Sequence, residues 1–159
     1  MDFRDRLRQA TQKGASARAE KAFSDAADAA SEEEQRRRHS QHRLALTDHI
    51  EERLQELADG LPGFKVEAVM SERGWGAAAS RDDAGRSGRQ RDNLYSRLEL
   101  LVSSFNEFQV VDIAAKGAIR NKETFSRTHY QAIAEFDEQE FKSLIDRWVL
   151  DYAGQYAGV

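Results

Sequence analysis

The apolar positions of the chain follow a helical period up to about residue 61 and a strand period afterwards. Near the N-terminus the steps are four and three, carried by Phe3, Leu7, Ala10, Gly14 and Ala17. This is the spacing of one narrow helix face. Alanine packs weakly at such a seam, and a glycine costs a helix about 1 kcal/mol relative to alanine. The pattern predicts a weak helix over residues 1–30 and leaves its order open.

A fresh helix is predicted to begin at Ser31. The sequence Ser31-Glu32-Glu33-Glu34 fits a capping box, in which the serine and the last glutamate each satisfy a free backbone N–H. Each of the three glutamates stands four positions before an arginine, and these arginines are Arg36, Arg37 and Arg38. Such pairs stabilise a helix by roughly 0.2–0.5 kcal/mol each. This stretch is therefore predicted to be helical without contacting a core.

The second half of this helix carries an apolar stripe. Its members recur at steps of four, four, three and four: Leu46, Ile50, Leu54, Leu57 and Leu61. Acidic residues occupy the other faces, as in a helix that packs on one side only. The helix is predicted to end near Asp59, because Gly60, Pro62 and Gly63 follow.

After Gly63 apolar and polar residues alternate, which is typical of half-buried strands. Five strands are predicted, over residues 64–71, 75–81, 94–105, 108–119 and 125–135. Residues 82–93 contain no apolar residue beyond one alanine and are predicted to form a mobile loop. The fold class is accordingly α+β, with a long N-terminal helix or helices, an antiparallel meander of about four to five strands and one C-terminal helix packed on the sheet.

The C-terminal helix has the clearest local signature. Asp137 is the predicted N-cap, with Glu140 at the third helical position, and Phe136 and Phe141 occupy the two positions of a hydrophobic staple. An apolar stripe follows, made of Phe141, Leu144, Ile145, Trp148 and Tyr152. We expect this helix to lie on the sheet.

Composition sharpens the domain boundaries. No Leu, Ile, Val, Met or aromatic residue occurs between Ser31 and Arg43, so we predict a charged helical arm over residues 1–43 and a single α+β domain over residues 44–159. The chain has no cysteine, which excludes disulfides and thiolate metal sites. No apolar run reaches the roughly 20 residues that span a bilayer. The N-terminal residues also lack the apolar stretch of a signal peptide, so we expect a cytoplasmic protein that binds no membrane. The net charge of -4 is too mild to imply an acidic or basic partner.

Histidines are the first candidates for chemistry. His39 and His42 stand three apart on the charged helix, and His49 follows two turns later. Helical metal sites more often use a spacing of four, and no third ligand is fixed here. We therefore interpret these histidines as solvated helix surface and predict no metal and no cofactor.

One alternative function is a small-ligand or enzymatic pocket on the concave face of the sheet. His129 and Tyr130 lie in the last predicted strand, and Asp112 lies in the strand before it. A histidine beside a carboxylate is a chemically competent acid–base pair. This hypothesis requires Asp112, His129 and Tyr130 to converge on one cavity.

A second alternative is sequence-independent binding of nucleic acid. Basic residues occur at Arg36–Arg38 and again in the loop at Arg81, Arg86, Arg89 and Arg91. The first group follows three glutamates, and the second is diluted by Asp82, Asp83 and Asp92. Aromatic residues for base stacking are missing from both segments.

Charge along the arm favours a different function. Residues 1–23 carry six basic and three acidic side chains, residues 24–34 carry five acidic ones, and residues 35–43 carry four basic ones. Blocks of alternating sign suit helices that lie against each other or against a charged partner. The main hypothesis is a non-enzymatic interaction or assembly module that binds itself or another protein through Phe3, Leu7, Arg36, Arg37 and Arg38.

Overall fold

The computed structural model describes residues 2–87 and 90–159, with side chains described over 2–83 and 94–159. Contacts between Cα atoms divide the chain into two compact units, one ending at Arg37 and the other comprising Arg38–Val159. Among the described residues, the first buried side chain is that of His39. The sequence predicted that the folded domain starts at Leu44. In the structure, side chains of the helix are buried from His39 onward, five residues earlier.

One helix, α1 (Phe3–Gly60), accounts for all the helical residues of the N-terminal part. The predicted fresh start at Ser31 is wrong, because the helix runs through Ser31 without interruption. Its C-terminal end agrees with the sequence, since Leu61, Pro62 and Gly63 follow and Gly63 has a φ of 98°. A positive φ is readily adopted by glycine but by few other residues.

Five strands form one antiparallel sheet whose order is the order of the sequence. The strands are β1 (Lys65–Ser71), β2 (Gly74–Ser87), β3 (Gln90–Val102), β4 (Val110–Ile119) and β5 (Lys122–Ala132). A 3-10 turn (Ile133–Glu135) leads into α2 (Glu138–Ala157). The α+β class, the antiparallel meander and the closing helix are thus confirmed.

The connections differ from the predicted ones in two places. Residues 82–87 and 90–93, predicted as a loop, belong to β2 and β3 and pair with each other as far as Ser87 and Gln90. The remaining residues of that prediction, 88 and 89, lie outside the described part of the chain. The turn between β3 and β4 is also longer than the predicted two residues, because it spans the residues between Val102 and Val110.

The hydrophobic core lies between the two helices and one face of the sheet. Its helical side is formed by Leu46, Ile50, Leu54 and Leu57 of α1 and by Phe141, Ile145, Trp148, Val149 and Tyr152 of α2. The sheet contributes residues at alternate positions: Ala77, Ala79, Leu98, Leu100, Val102, Val111, Ile113, Ala115, Ile119 and Phe125. Both predicted stripes therefore face the core, as their periodicity requires.

The start of α2 follows the predicted signature. The carboxylate of Asp137 accepts a hydrogen bond from the backbone N–H of Glu140 at 3.1 Å, and the rings of Phe136 and Phe141 stack with centroids 5.1 Å apart. Further along α2, the hydroxyl of Tyr152 donates to the carbonyl oxygen of Ala118 at 2.8 Å. The first two contacts fix the start of the helix, and the third fixes its C-terminal part on β4 of the sheet.

Candidate functional site

The first candidate surface is residues 2–37, the described part of the predicted arm that belongs to the first compact unit, and below the name arm refers to these residues. None of its side chains is buried. Its large apolar residues are exposed too, with 73% of Phe3, 52% of Leu7 and 79% of Phe23 accessible to solvent. The predicted partner-binding residues Phe3 and Leu7 thus lie one helical turn apart on a fully solvated helix.

The arginines that end the arm are engaged locally. Arg36 pairs with Glu32 at 3.1 Å, as the four-residue spacing predicted. Arg37 instead pairs with Glu34, three residues before it, at 2.6 Å, and the hydrogen bond to Glu34 raises the pKa of its guanidinium. Arg38 belongs to the second compact unit, so the three predicted arginines are divided between the two units.

The three predicted pocket residues do not converge. Asp112 pairs directly with Tyr130 across β4 and β5, and Ile113 pairs with His129. Successive side chains of a strand point to opposite faces, and Ile113 is buried in the core. His129 therefore lies on the face covered by the helices, whereas Asp112 and Tyr130 lie on the opposite face, where Tyr130 is 70% exposed.

The surroundings of His129 are those of a side chain at the border of the core. Its ring contacts Phe141 of α2 edge-on, with centroids 5.0 Å apart, and its Nε2 atom lies 4.0 Å from a carboxylate oxygen of Glu140. Burial raises the pKa of Asp112, an effect partly offset by the charge of His129. No hydrogen bond joins Asp112 to His129 among the described residues, so the acid–base pair is not assembled.

The three histidines of α1 make specific contacts, contrary to the expectation of solvated surface. His39 is 1% exposed, and its ring meets Phe105 edge-on at 5.7 Å. His42 stacks on Phe136 with centroids 3.8 Å apart. The Nε2 atom of His49 lies 2.7 Å from Oδ1 of Asp146 in α2. These rings pack the C-terminal part of α1 against the other elements of the second compact unit.

No metal site emerges from these histidines. In the described part of the chain, no three residues of the His, Cys, Asp and Glu types are grouped closely enough to hold a metal ion. The Nε2 atom of His39 is buried without a hydrogen-bond partner. Burial, together with the charge of Arg43, lowers the pKa of His39 to about 4.

The second candidate surface is the sheet face opposite the helices, which we call the outer face. The strand register aligns its side chains in rows that cross all five strands. One row consists of Glu67, Ala78, Glu99, Lys116 and Ser126. The next consists of Lys65, Ser80, Arg97, Ala118 and Glu123. Charged residues of β1, β3, β4 and β5 are thereby brought together.

Ion pairs connect these rows around Glu99, which is only 8% exposed. Arg97 donates from Nη2 to Glu99 at 2.9 Å and from Nη1 to Glu67 at 2.9 Å. Arg73, in the turn between β1 and β2, lies 3.3 Å from the other carboxylate oxygen of Glu99. Burial disfavours the charged form of Arg97, yet its hydrogen bonds to Glu99, Tyr95 and Glu67 raise its pKa above the usual value.

A groove of about 830 Å³ opens on the outer face over β3, β4 and β5. Charged residues of its lining are Arg73, Arg97, Glu99, Lys116, Glu123 and Arg127. The groove was not predicted from the sequence. The sequence pattern predicted that Tyr95 and Leu101 lie on one face of β3. Since side chains alternate along a strand, Arg97 and Glu99 lie on that same face, between them. The pairing of Glu99 with Lys116 needed the strand register, which the sequence did not provide.

Arg81, the basic residue of β2 whose side chain is described, is engaged locally. Arg81 donates to the carbonyl oxygen of Pro62 at 2.6 Å and to the carboxylate of Asp83 at 2.5 Å. The side chains of Arg86, Arg89 and Arg91, which the nucleic-acid hypothesis also invoked, lie outside the described residues. Nucleic-acid binding through these three arginines therefore stays a prediction.

Comparison with known proteins adds no functional information. The chain matches no protein-family model, no curated protein and no solved structure at a significant level. Within the described residues, no helix combines the length and the apolar character needed to cross a membrane.

Proposed function

We propose that this chain is a non-enzymatic assembly module that associates with a second copy of itself through the arm. The observation that carries the proposal is that residues 2–37 contain no buried side chain. A helix that is solvated on every side gains nothing from burial, and most helical stability in proteins comes from packing an apolar face. Association of two arms would supply that missing packing.

The apolar side chains of the arm are the groups that such an association would bury. Phe3 and Leu7 are four residues apart and therefore lie on the same helix face. Burying a phenylalanine or leucine side chain contributes about 1.5–3 kcal/mol. In the arm as described, these two side chains remain 73% and 52% exposed, so most of that free energy is still available to a partner.

Charge favours an antiparallel arrangement of the two arms. Residues 1–23 carry a net charge of +3, and residues 24–34 carry -5. In an antiparallel pair each basic segment lies against the acidic segment of the other copy, whereas a parallel pair would place like charges together. Opposite charges across a helix pair set both register and orientation. The antiparallel pair is therefore the electrostatically favoured one.

Light scattering on the full chain can test the role of the apolar residues. The double variant Phe3→Ala, Leu7→Ala is expected to weaken association by about a hundredfold or more, because it removes two side chains that contribute about 1.5–3 kcal/mol each on burial. Leu150→Ala is the matched control, since Leu150 is 71% exposed on α2 and lies outside the arm. An equal effect of both changes, or of neither, would argue against the arm as the interface.

The alternatives have less support in the described geometry. A catalytic or ligand pocket formed by Asp112, His129 and Tyr130 lacks the required convergence, because the strands direct these residues to two different faces. Nucleic-acid binding through the arm would use Arg36 and Arg37, which pair with Glu32 and Glu34. Those ion pairs would have to be exchanged for contacts with phosphate groups.

A further inference from the structure

We propose that the outer-face groove binds the phosphate group of a small molecule, through Lys116 together with the hydroxyls of Ser126 and Thr124. These three residues line the part of the groove over β4 and β5. Lys116 and Ser126 are directly paired across the two strands, which places their Cβ atoms about 4.5–5.5 Å apart. A single small ligand can therefore contact both side chains.

The charge of the groove favours an anion. Four of its lining residues are basic and two are acidic: Arg73, Arg97, Lys116 and Arg127 against Glu99 and Glu123. A third carboxylate, that of Glu67 in β1, binds Arg97, which leaves one positive charge in excess. Glu99 is already shared between Arg73 and Arg97. Lys116 is exposed and makes no ion pair with any carboxylate of the described residues, although Glu99 is its cross-strand neighbour. Positive charge is thus left unbalanced on the β4 side of the groove.

Glu99 explains how this positive charge is held in place. A buried carboxylate is tolerated when it is paired and hydrogen-bonded, and Glu99 receives both arginines from the same face of the sheet. The two guanidinium groups are consequently fixed above β3, beside Lys116. These two guanidinium groups therefore need no ordering when a ligand binds, which reduces the cost of binding on their side of the groove.

The remaining donors suit a tetrahedral oxyanion better than a planar carboxylate. Both Nη atoms of Arg97 are engaged by carboxylates, one by Glu67 and one by Glu99, and one Nη atom of Arg73 is engaged by Glu99. Beside these arginines stand an ammonium group and two hydroxyls, and these donors can approach phosphate oxygens from different directions. The hydroxyls of Ser126 and Thr124 have no hydrogen-bond partner within the described part of the chain, so both are available to a ligand.

Calorimetric titration of the full-length protein tests this site. Inorganic phosphate and glycerol 3-phosphate are titrated separately, which distinguishes the free ion from a phosphomonoester, and acetate at the same ionic strength controls for bare negative charge. Lys116→Gln is expected to weaken phosphate binding by about tenfold, since it removes a charge-assisted hydrogen bond to the phosphate. Ser126→Ala is expected to weaken it by a smaller factor.

Lys122→Gln is the matched control, because Lys122 is an exposed lysine of β5 that does not line the groove. Saturable binding of either phosphate compound that is lost in Lys116→Gln and retained in Lys122→Gln would support the site. The proposal is overturned if neither compound binds saturably, if both lysine variants weaken binding equally, or if acetate binds as tightly as phosphate. Circular dichroism of each variant confirms that the comparison is made between folded proteins.

Discussion

His49 Nε2 and Asp146 Oδ1 lie 2.7 Å apart and link α1 to α2. The same oxygen accepts a hydrogen bond from Nε of Arg53, also at 2.7 Å. Asp146 is therefore held by two side chains of α1, although 97 residues separate it from His49. The contact ties the C-terminal part of α1 to the closing helix at the edge of the core.

Removing the charge of Asp146 should destabilise the fold. Partial burial alone would raise the pKa of Asp146, but hydrogen bonds from Arg53 and His49 lower it below the usual value. We expect Asp146→Asn to lower the free energy of unfolding by about 1–2 kcal/mol in urea titrations at pH 7. Asp151→Asn, on an exposed position of the same helix, should leave it unchanged.

The lowered pKa of Asp146 determines how the stability of the wild type and of Asp146→Asn should depend on pH. A carboxyl group whose pKa is lower in the folded state stabilises the fold above its unfolded pKa, and this contribution is lost as the pH falls through the folded value. The wild type should therefore lose stability on acidification below about pH 4, and Asp146→Asn should lose less. Parallel slopes for the two proteins would contradict the assignment.

His39 should make stability depend on pH in a higher range. Its pKa is lowered to about 4 by burial and by the charge of Arg43, against about 6.5 in an unfolded chain. Between these values the unfolded state binds more protons, so stability should fall as the pH drops from about 6.5 to 4. In His39→Leu the fall over this range should be shallower. Chemical unfolding at several pH values measures the slope, and an unchanged slope would contradict the prediction.

Replacing a glycine by alanine should lower the stability of the protein at one position and raise it at another. A Cβ atom on Gly117 would lie 2.9 Å from Cβ of Phe125 and 2.9 Å from the ring of Tyr152. Gly117→Ala should therefore cost about 1–3 kcal/mol through overpacking. A Cβ atom on Gly154, in α2, would meet nothing within 4 Å, so Gly154→Ala should stabilise the protein by about 0.5–1 kcal/mol. Thermal unfolding of both variants checks the contrast.

The orientation of the arms can be read from crosslinking, because the chain contains no cysteine. In an antiparallel pair that sets residues 4–13 against residues 25–34, the two copies of Ala17 lie about 6 Å apart along the helix axis and the two copies of Ala10 about 27 Å apart. Ala17→Cys should therefore crosslink to itself with a short bismaleimide, and Ala10→Cys should not. Equal crosslinking at both positions would indicate parallel arms.

The local features of the fold were predictable from the sequence. The stripe from Leu46 to Leu57, the cap at Asp137 and the alternation in β4 each depend on neighbours within a few residues, and each is confirmed. The prediction that a new helix starts at Ser31 was wrong, because a capping-box sequence is also compatible with the interior of a continuous helix. The loop prediction was wrong about the secondary structure of residues 82–87 and 90–93, because strand pairing, rather than apolar content, sets the extent of β2 and β3.

The candidate sites were less predictable, because they depend on which residues of neighbouring strands pair with each other. Asp112 and His129 are one register step apart, and that single step sends them to opposite faces of the sheet. Glu99 and Lys116 are brought together by the same kind of pairing. Sequence alternation identifies the residues on each face, but it does not fix the partner of a residue on the next strand.

Sedimentation equilibrium of the full-length protein tests the central claim most directly. At micromolar concentration and low salt, the proposal predicts a mass of two chains of 18.0 kDa each. Dissociation should increase at high salt, because contacts between oppositely charged segments are screened. A mass of one chain at every concentration and salt condition would contradict association through the arm.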